Sequence, residues 1–162
     1  MPKDVKFTQE ELHELLDYDP NTGIFTHKIN NRHGCFGKKA GCVRGDGYIL
    51  IGIRKGHFLA HRLAWFYTYG TWPSEMIDHK DGNRQNNRIS NLREATHAQN
   101  LQNARGRKRG GGLKGAHWHK ERGKWKARIA QIHLGYFDSE LDAHRAYIAA
   151  AKKYFGEFAR AA

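Results

Sequence analysis

The sequence predicts an α+β protein built as two modules, and three observations carry that expectation. Apolar residues recur at helical spacing in some stretches and alternate with polar residues in others. Charge is divided unevenly, with 14 basic and 11 acidic side chains in residues 1–101 but 14 and 5 in residues 102–162. Between the halves runs Ala104-Arg105-Gly106-Arg107-Lys108-Arg109-Gly110-Gly111-Gly112, whose three consecutive glycines support neither a helix nor a packed strand. A first module is therefore expected at 1–101, a basic Gly-rich linker at 102–112 and a second module at 113–162.

Composition bounds the function. Of 162 residues, 39% are hydrophobic and 12% aromatic, enough for a packed core and too much for a disordered chain. No stretch approaches the roughly 20 apolar residues of a membrane span and no leader pattern opens the chain, so a soluble, cytoplasmic protein with no membrane partner is expected. Cys35 and Cys42 are the only cysteines; they cannot form a disulfide scaffold, and with His33 or His57 they fit no standard zinc spacing, so no structural zinc is expected. The net charge of +12 favours a polyanionic partner.

The elements follow in order. Thr8 and Glu11 make a capping-box pattern ahead of Leu12, Leu15 and Leu16, which predicts a helix. Asp19-Pro20-Asn21-Thr22-Gly23 is turn chemistry, expected to end it. Gly45-Asp46-Gly47 is a further turn, the run Tyr48 to Ile53 alternates as a strand, and Arg54-Lys55-Gly56 turns again. His57 to Tyr69 reads as a buried strand end entering a helix that Gly70 and Pro73 stop. Its aromatics are assigned to the core.

Residues 76–103 carry the chemistry. A short apolar strand delivers Asp78 and His79, an Asn-rich loop with Asp81-Gly82 follows, Leu92 starts a second strand, and Thr96 with Gln99 makes a capping box opening a helix that holds Asn100. Such a β-β-α unit can bring Asp78, His79 and Asn100 to one end. Asp78 and Asn100 are hard oxygen ligands suited to Mg²⁺ or Mn²⁺, with most of an octahedral shell left for water and phosphate oxygens. His79 is a residue type that accepts a proton from water near neutral pH. Neighbours on a strand face opposite ways, so Asp78 and His79 are not both ordinary core residues, and the loop must wrap them. Asn91 is placed to hold that loop or to orient the imidazole. His61 packs under the site or touches phosphate.

The pattern Asp78-His79, Asn91 twelve residues after the His and Asn100 nine further on resembles the HNH nucleases. It is most similar to the phage and intron-encoded homing endonuclease branch, whose third position is Asn. His61-Arg62-Leu63-Ala64, Asp78-His79-Lys80-Asp81-Gly82-Asn83, Asn86-Asn87-Arg88, Asn91-Leu92-Arg93 and Gln99-Asn100 agree with it, over roughly 15–103. The resemblance implies a β-β-α-metal nuclease domain acting on DNA phosphodiesters. It makes His79 the general base, Asp78 and Asn100 the ligands of one divalent metal, and Asn91 the brace of loop and histidine. It further implies a 5′-phosphate and 3′-hydroxyl product and, in many members, nicking of one strand.

The second module reads as three strands and a helix. In Lys124-Trp125-Lys126-Ala127-Arg128-Ile129 the basic side chains fall on one face and Trp125, Ala127 and Ile129 on the other. Ile132 to Phe137 is the third strand. Ser139 caps a helix running to about Tyr154, with Leu141, Ala146, Ala149 and Ala150 expected on its packed face. Lys114-Gly115-Ala116, Gly123 to Ile129, Leu134-Gly135-Tyr136-Phe137, Ala143, Ala146-Tyr147, Ala150 and Phe155-Gly156 resemble the DNA-binding domain of plant ethylene-response factors, also of APETALA type. The resemblance implies that Lys114, His117, His119, Lys126 and Arg128 point at double-stranded DNA with Lys124 beside them. His117 and His119 stand where plant members carry arginines, so a GC-rich target is not implied. Arg105, Arg107, Lys108 and Arg109 read as a phosphate-tracking arm or a solvated loop.

The expectation is thus a metal-dependent DNA endonuclease tethered by a DNA-binding module; the alternative is a decayed nuclease acting as a DNA-binding regulator. No long apolar heptad advertises a dimer seam, which fits a monomer or weak homodimer.

Overall fold

Thr8 caps the first helix as its sequence requires. Its hydroxyl accepts from the Glu11 amide and the Glu11 carboxylate accepts from the Thr8 amide, so two of the helix's orphan donors are satisfied reciprocally. The structure is a computed structural model and describes residues 7–30, 35–103 and 112–159. It divides into two compact units, Met1–Thr96 and His97–Ala162.

In the first unit, helix α1 (Gln9–Leu15) leads directly into strand β1 (Leu16–Asp19), which pairs antiparallel with β2 (Ile24–His27). The turn at Asp19 to Gly23 therefore closes a hairpin rather than ending a helix. Asp19 accepts from the Asn21 amide at 2.8 Å and the Thr22 hydroxyl at 2.7 Å, which fastens the turn. A three-stranded antiparallel sheet follows in the order β3 (Cys42–Val43), β4 (Ile49–Ile53) and β5 (Gly56–Leu59). Alternation along β4 buries Ile49, Ile51 and Ile53 on one face.

Helix α2 (Ala60–Tyr69) ends at Gly70, which takes the left-handed conformation at φ +71°. Leu12 and Leu16 from the first helix-strand passage, Phe25, Ile51, Leu63 and Ala64 form the core. Phe66 stacks on Trp72 with centroids 4.5 Å apart, and Phe7 meets both edge-on. This layer of rings buries large apolar area with few mobile torsions, which suits a small unit. The ladder β6 (Met76–His79) and β7 (Leu92–Ala95) completes the first unit, with the 3₁₀ turn η1 (Ile89–Asn91) just ahead of β7.

The second unit opens with helix α3 (His97–Asn103), which packs against the 3₁₀ turn η3 (Gly156–Phe158). The sequence reading assigned residues 97–101 to the first module; in the structure they group with the second. Strands β8 (Ala116–His119), β9 (Lys124–Ile129) and β10 (Ile132–Phe137) form an antiparallel sheet with β9 central. The turn η2 (Lys120–Arg122) joins the first two. Helix α4 (Glu140–Phe155) covers one face, its first turn capped by the Ser139 hydroxyl on the Asp142 amide.

The packed face of α4 is the expected one in part: Ala146 and Ala150 pack against the core. Ala143, Tyr147 and Ala151, spaced at i, i+4 and i+8, are buried, whereas Leu141 is half exposed and Ala149 is exposed. Tyr147 sets the phase: its ring lies so close over Gly115 that a Cβ there would overlap it, and it clusters with Ile129 and Ala151. The stripe through Tyr147 excludes Leu141 and Ala149 from the sheet side. No described helix is long and apolar enough to cross a membrane.

Candidate active site

The β6–β7 ladder places the two principal residues. Register pairs Asp78 with Arg93 and His79 with Leu92. Both Asp78 and His79 are buried, at 4% and 3% exposure. Directly opposed residues of an antiparallel pair share a face, and Arg93 uses this to reach Asp78: its Nε lies 3.0 Å and its Nη2 2.9 Å from Oδ2. The buried carboxylate is thus compensated by a guanidinium that faces its Oδ2 with two nitrogens.

His79 turns to the other side. Its Nε2 lies 3.1 Å from Oδ1 of Asn87, a residue only 1% exposed. The ring of His61, from the first turn of α2, stands perpendicular to the His79 ring at 5.1 Å. Tyr48 lies 5.0 Å from the His61 ring and 5.9 Å from that of His79. Arg84 lays its guanidinium over Tyr48 at 4.7 Å and donates to the Asp46 carbonyl at 2.6 Å. His79 therefore sits among two rings and an amide, with a cation above the outer ring.

Burial dominates the electrostatics. It lowers the His79 pKa, against the hydrogen bond with Asn87 and the nearby Asp81 and Asp78 carboxylates, and Arg84 lowers it further. The ring is unprotonated at neutral pH. His61 is pushed down to about 3, by burial first and then by His79 and Arg62. Its Nδ1 is buried with no hydrogen-bond partner among the described residues.

The loop from Lys80 to Arg88 is held by its own polar side chains. Asn91 is the hub: its amide nitrogen donates to Asp81 at 3.0 Å and to the Asn86 carbonyl at 2.8 Å. Its amide oxygen accepts from the Asp81 backbone at 3.1 Å. Asp81 also accepts from Asn83 and Asn86. Burial opposes ionisation of Asp81, but the hydrogen bonds from Asn86, Asn83 and Asn91 outweigh it and hold the carboxyl below its ordinary range. The Asn-rich composition is thus a lattice of side-chain turns that replaces a sheet or helix here.

Of the four residues singled out for chemistry, Asp78, His79 and Asn91 lie within one ladder and its loop in the first unit. Asn100 lies on α3, in the second unit. From the sequence, Asn91 is placed to hold the loop or to orient the imidazole. In the structure Asn91 bonds the loop, and Asn87 bonds the ring. Asn87, Arg93, Arg84 and Tyr48 were not singled out. Signals existed for Arg93, since the strand register of Asp78-His79 against Leu92-Arg93 sets an acid opposite a base, and for Asn87, which lies in the Asn86-Asn87-Arg88 run of the resemblance.

In the second unit the sheet face away from α4 is basic and aromatic. Register sets His117, Lys126 and Tyr136 in one row, His119 and Lys124 in the next, and Arg128 with His133 in a third. Tyr136 is the centre of a ring cluster, 5.3 Å from His119 and 4.7 Å from His133, with the Arg122 guanidinium over it at 4.6 Å. Lys124 is paired with Asp138 at 3.0 Å. Lys114 places its ammonium over the Tyr147 ring at 5.9 Å. Arg105, Arg107, Lys108 and Arg109 lie outside the described residues.

A buried ladder delivering Asp-His into a self-bonded Asn loop is the kind of site an HNH nuclease presents, and residues 58–102 match the HNH endonuclease family. Over 63 residues the chain is 43% identical to the DNA endonuclease I-HmuI of Bacillus phage SP01, covering 36% of this chain and 36% of that protein. It is also similar to a solved chain described by DNA binding and cleavage by the HNH homing endonuclease I-HmuI. That likeness is at 32% identity and a TM-score of 0.42, over 54% of this chain and 50% of the other. The chain thus spans half or less of the length of these relatives.

Proposed function

We propose that this protein is a divalent-metal-dependent, site-specific DNA endonuclease of the HNH homing type. It hydrolyses DNA phosphodiester bonds, nicks one strand per active site, and leaves a 5′-phosphate and a 3′-hydroxyl. The observation that carries the reading is the His79 imidazole, buried, kept neutral and hydrogen-bonded by Asn87 beside Asp78, within the segment that matches the HNH endonuclease family. An imidazole in this state accepts a proton from an attacking water at neutral pH.

Asp78 and Asn100 are the residues proposed to hold Mg²⁺ or Mn²⁺. Their carboxylate and amide oxygens are hard donors of the kind these ions take, in a shell otherwise completed by water and phosphate. No three His, Cys, Asp or Glu side chains converge on a competing metal position among the described residues. When bound, the ion supplies positive charge to the phosphate and to the leaving oxygen. Asn91 and Asp81 keep the loop closed around the histidine, and Arg93 holds the Asp78 carboxylate in place.

The second unit is proposed to bind double-stranded DNA through its basic face. His117, His119, Lys126 and Arg128 are the notable side chains, with Lys124 and Lys114 at its margins and the 105–109 basic run following the phosphates. Tyr136, His133 and Arg122 share that face and add ring surface to it. A two- or three-stranded sheet enters the major groove in this manner.

The test is a supercoiled plasmid carrying the target. Conversion to open circle with Mg²⁺ or Mn²⁺, blocked by EDTA and by His79→Ala, supports the reading. Metal-loaded protein that retards DNA on a gel but never breaks it is instead a DNA-binding regulator.

A further inference from the structure

We infer that Asn87 is the positioning residue of the catalytic base: its amide oxygen binds the protonated Nε2 of His79, which leaves Nδ1 as the nitrogen that accepts the proton of the attacking water. The inference deepens the nuclease reading and rests on it for the identity of the base.

The argument begins with the hydrogen-bond inventory. A neutral imidazole has one N–H and one acceptor nitrogen, and whatever binds one nitrogen decides the role of the other. Asn87 Oδ1 stands 3.1 Å from Nε2 of His79. An oxygen there requires the proton to be on Nε2. The amide of Asn87 is not free to offer its nitrogen instead. Its Nδ2 is directed at the Gln85 carbonyl at 3.4 Å, and a flipped amide would oppose oxygen to oxygen there and place an N–H donor on Nε2. The bonds on both sides of the amide thus select one orientation.

The backbone beneath Asn87 is held from far along the chain. The Tyr18 hydroxyl, on β1, donates to the Asn87 carbonyl at 2.7 Å across a separation of 69 residues. The Asn87 amide donates to the Gln85 carbonyl at 3.1 Å. At the end of the same hairpin turn, Gly23 adopts φ +73° and lies so close that a Cβ would overlap the Asn87–Arg88 peptide. The loop carrying Asn87 is therefore clamped between its own Asn91 hub and the β1–β2 hairpin. Asn87 touches neither the substrate nor the metal in this scheme; it acts through His79, as outer residues commonly orient a functional imidazole.

Two neighbours compete for the role. His61 and Tyr48 face the His79 ring, with centroids 5.1 and 5.9 Å away, but among the described residues neither is hydrogen-bonded to it, whereas the Asn87 amide is. Asn91 spends its amide on the loop.

The test reads the tautomer directly. The full chain is labelled with ¹⁵N-histidine, and two-bond ¹H–¹⁵N correlation spectra are recorded, with the His79 signals assigned by their loss in His79→Gln. The expected result is a proton on Nε2 and an unprotonated Nδ1 in the wild type, retained in Asn91→Ala and in Asn87→Asp, which keeps an acceptor. In Asn87→Leu the preference for Nε2–H is lost, and the single-turnover rate of Mn²⁺-dependent nicking falls by about 10²-fold with unchanged KM for DNA. A proton on Nδ1 in the wild type overturns the inference. So does an unchanged tautomer in Asn87→Leu. Should that variant not fold, the wild-type tautomer and its behaviour in Asn87→Asp decide. A chain that shows the Nε2–H tautomer yet never cleaves DNA defeats the nuclease reading instead, so the two failures are distinguishable.

Discussion

Arg93 meets Asp78 across the β6–β7 ladder with two nitrogens on one carboxylate oxygen, at 3.0 and 2.9 Å, and both side chains are about nine-tenths or more buried. A buried pair of this kind contributes little net stability over an apolar pair, yet losing one member leaves an uncompensated charge. Arg93→Leu is therefore expected to lower unfolding free energy by about 3–5 kcal/mol, read as a shift of the urea midpoint at unchanged slope. An unshifted midpoint would mean that the carboxylate finds another partner.

Asn91 joins Lys80, Asp81 and Asn86 through both ends of its amide and its carbonyl. Asn91→Ala removes three side-chain bonds from a loop with no ladder of its own. A loss of about 1–3 kcal/mol and a fall in nicking rate at saturating metal are expected. Normal activity with lowered stability would confine Asn91 to a structural role.

Gly23 has φ +73° and no room for a Cβ against the Asn87–Arg88 peptide. In Gly23→Ala the left-handed backbone and the overlap act together, for an expected cost of about 2–4 kcal/mol. Protection of the Asn87 amide in hydrogen exchange should fall more than that of β9 amides in the second unit. Equal loss in both would contradict a local clamp.

His61 gives the protein an acid limit. Its ordinary pKa of 6.5 is lowered to about 3 in the fold, by burial, then His79 and Arg62. Below pH 6.5 the unfolded chain takes up a proton that the folded chain refuses, so stability rises with pH between those values and is lost as pH falls. The expected slope is about 1.4 kcal/mol per pH unit. His61→Phe, which removes the titrating ring nitrogen while filling the space, should flatten this dependence. A slope unchanged in the variant would assign it to other groups.

Lys126 and Lys124 are both on β9, but only Lys124 carries an ion pair, with Asp138 at 3.0 Å. Lys126→Ala is expected to weaken DNA binding and to reduce the salt slope by about 1, as loss of one phosphate contact does. Lys124→Ala should change the slope less. Filter binding at a series of salt concentrations separates them, and the reverse order would mean that Asp138 releases Lys124 on binding DNA.

Much of the fold was legible in local patterns. The capping box at Thr8 and Glu11, the alternation of β4, the Gly70 stop and the Ser139 cap are all decided by hydrogen bonds within a few residues. Asp78, His79 and Asn91 were legible for a different reason: their spacing is tied to one hairpin, so sequence distance stands in for distance in space. The turn at Asp19 was readable as a turn, yet whether it followed a helix or a strand depended on where α1 stopped. On α4 the apolar pattern points to Leu141 and Ala149, whereas the phase is set by Tyr147, whose ring lies over Gly115 and clusters with Ile129 and Ala151.

The amino-acid order by itself determined the capped starts of α1 and α4, strand β4, the polar loop after Asp78-His79, and the alternation of charge along β9. Only the tertiary structure decided that Asn87 holds the His79 ring, that Tyr18 and Gly23 hold Asn87, and that α3 groups with the second unit. The division has a physical origin. A hydrogen bond between neighbours in sequence is set by the geometry of a few torsions, whereas one between residues 69 apart exists only after the core has closed and brought two loops onto the same side of it.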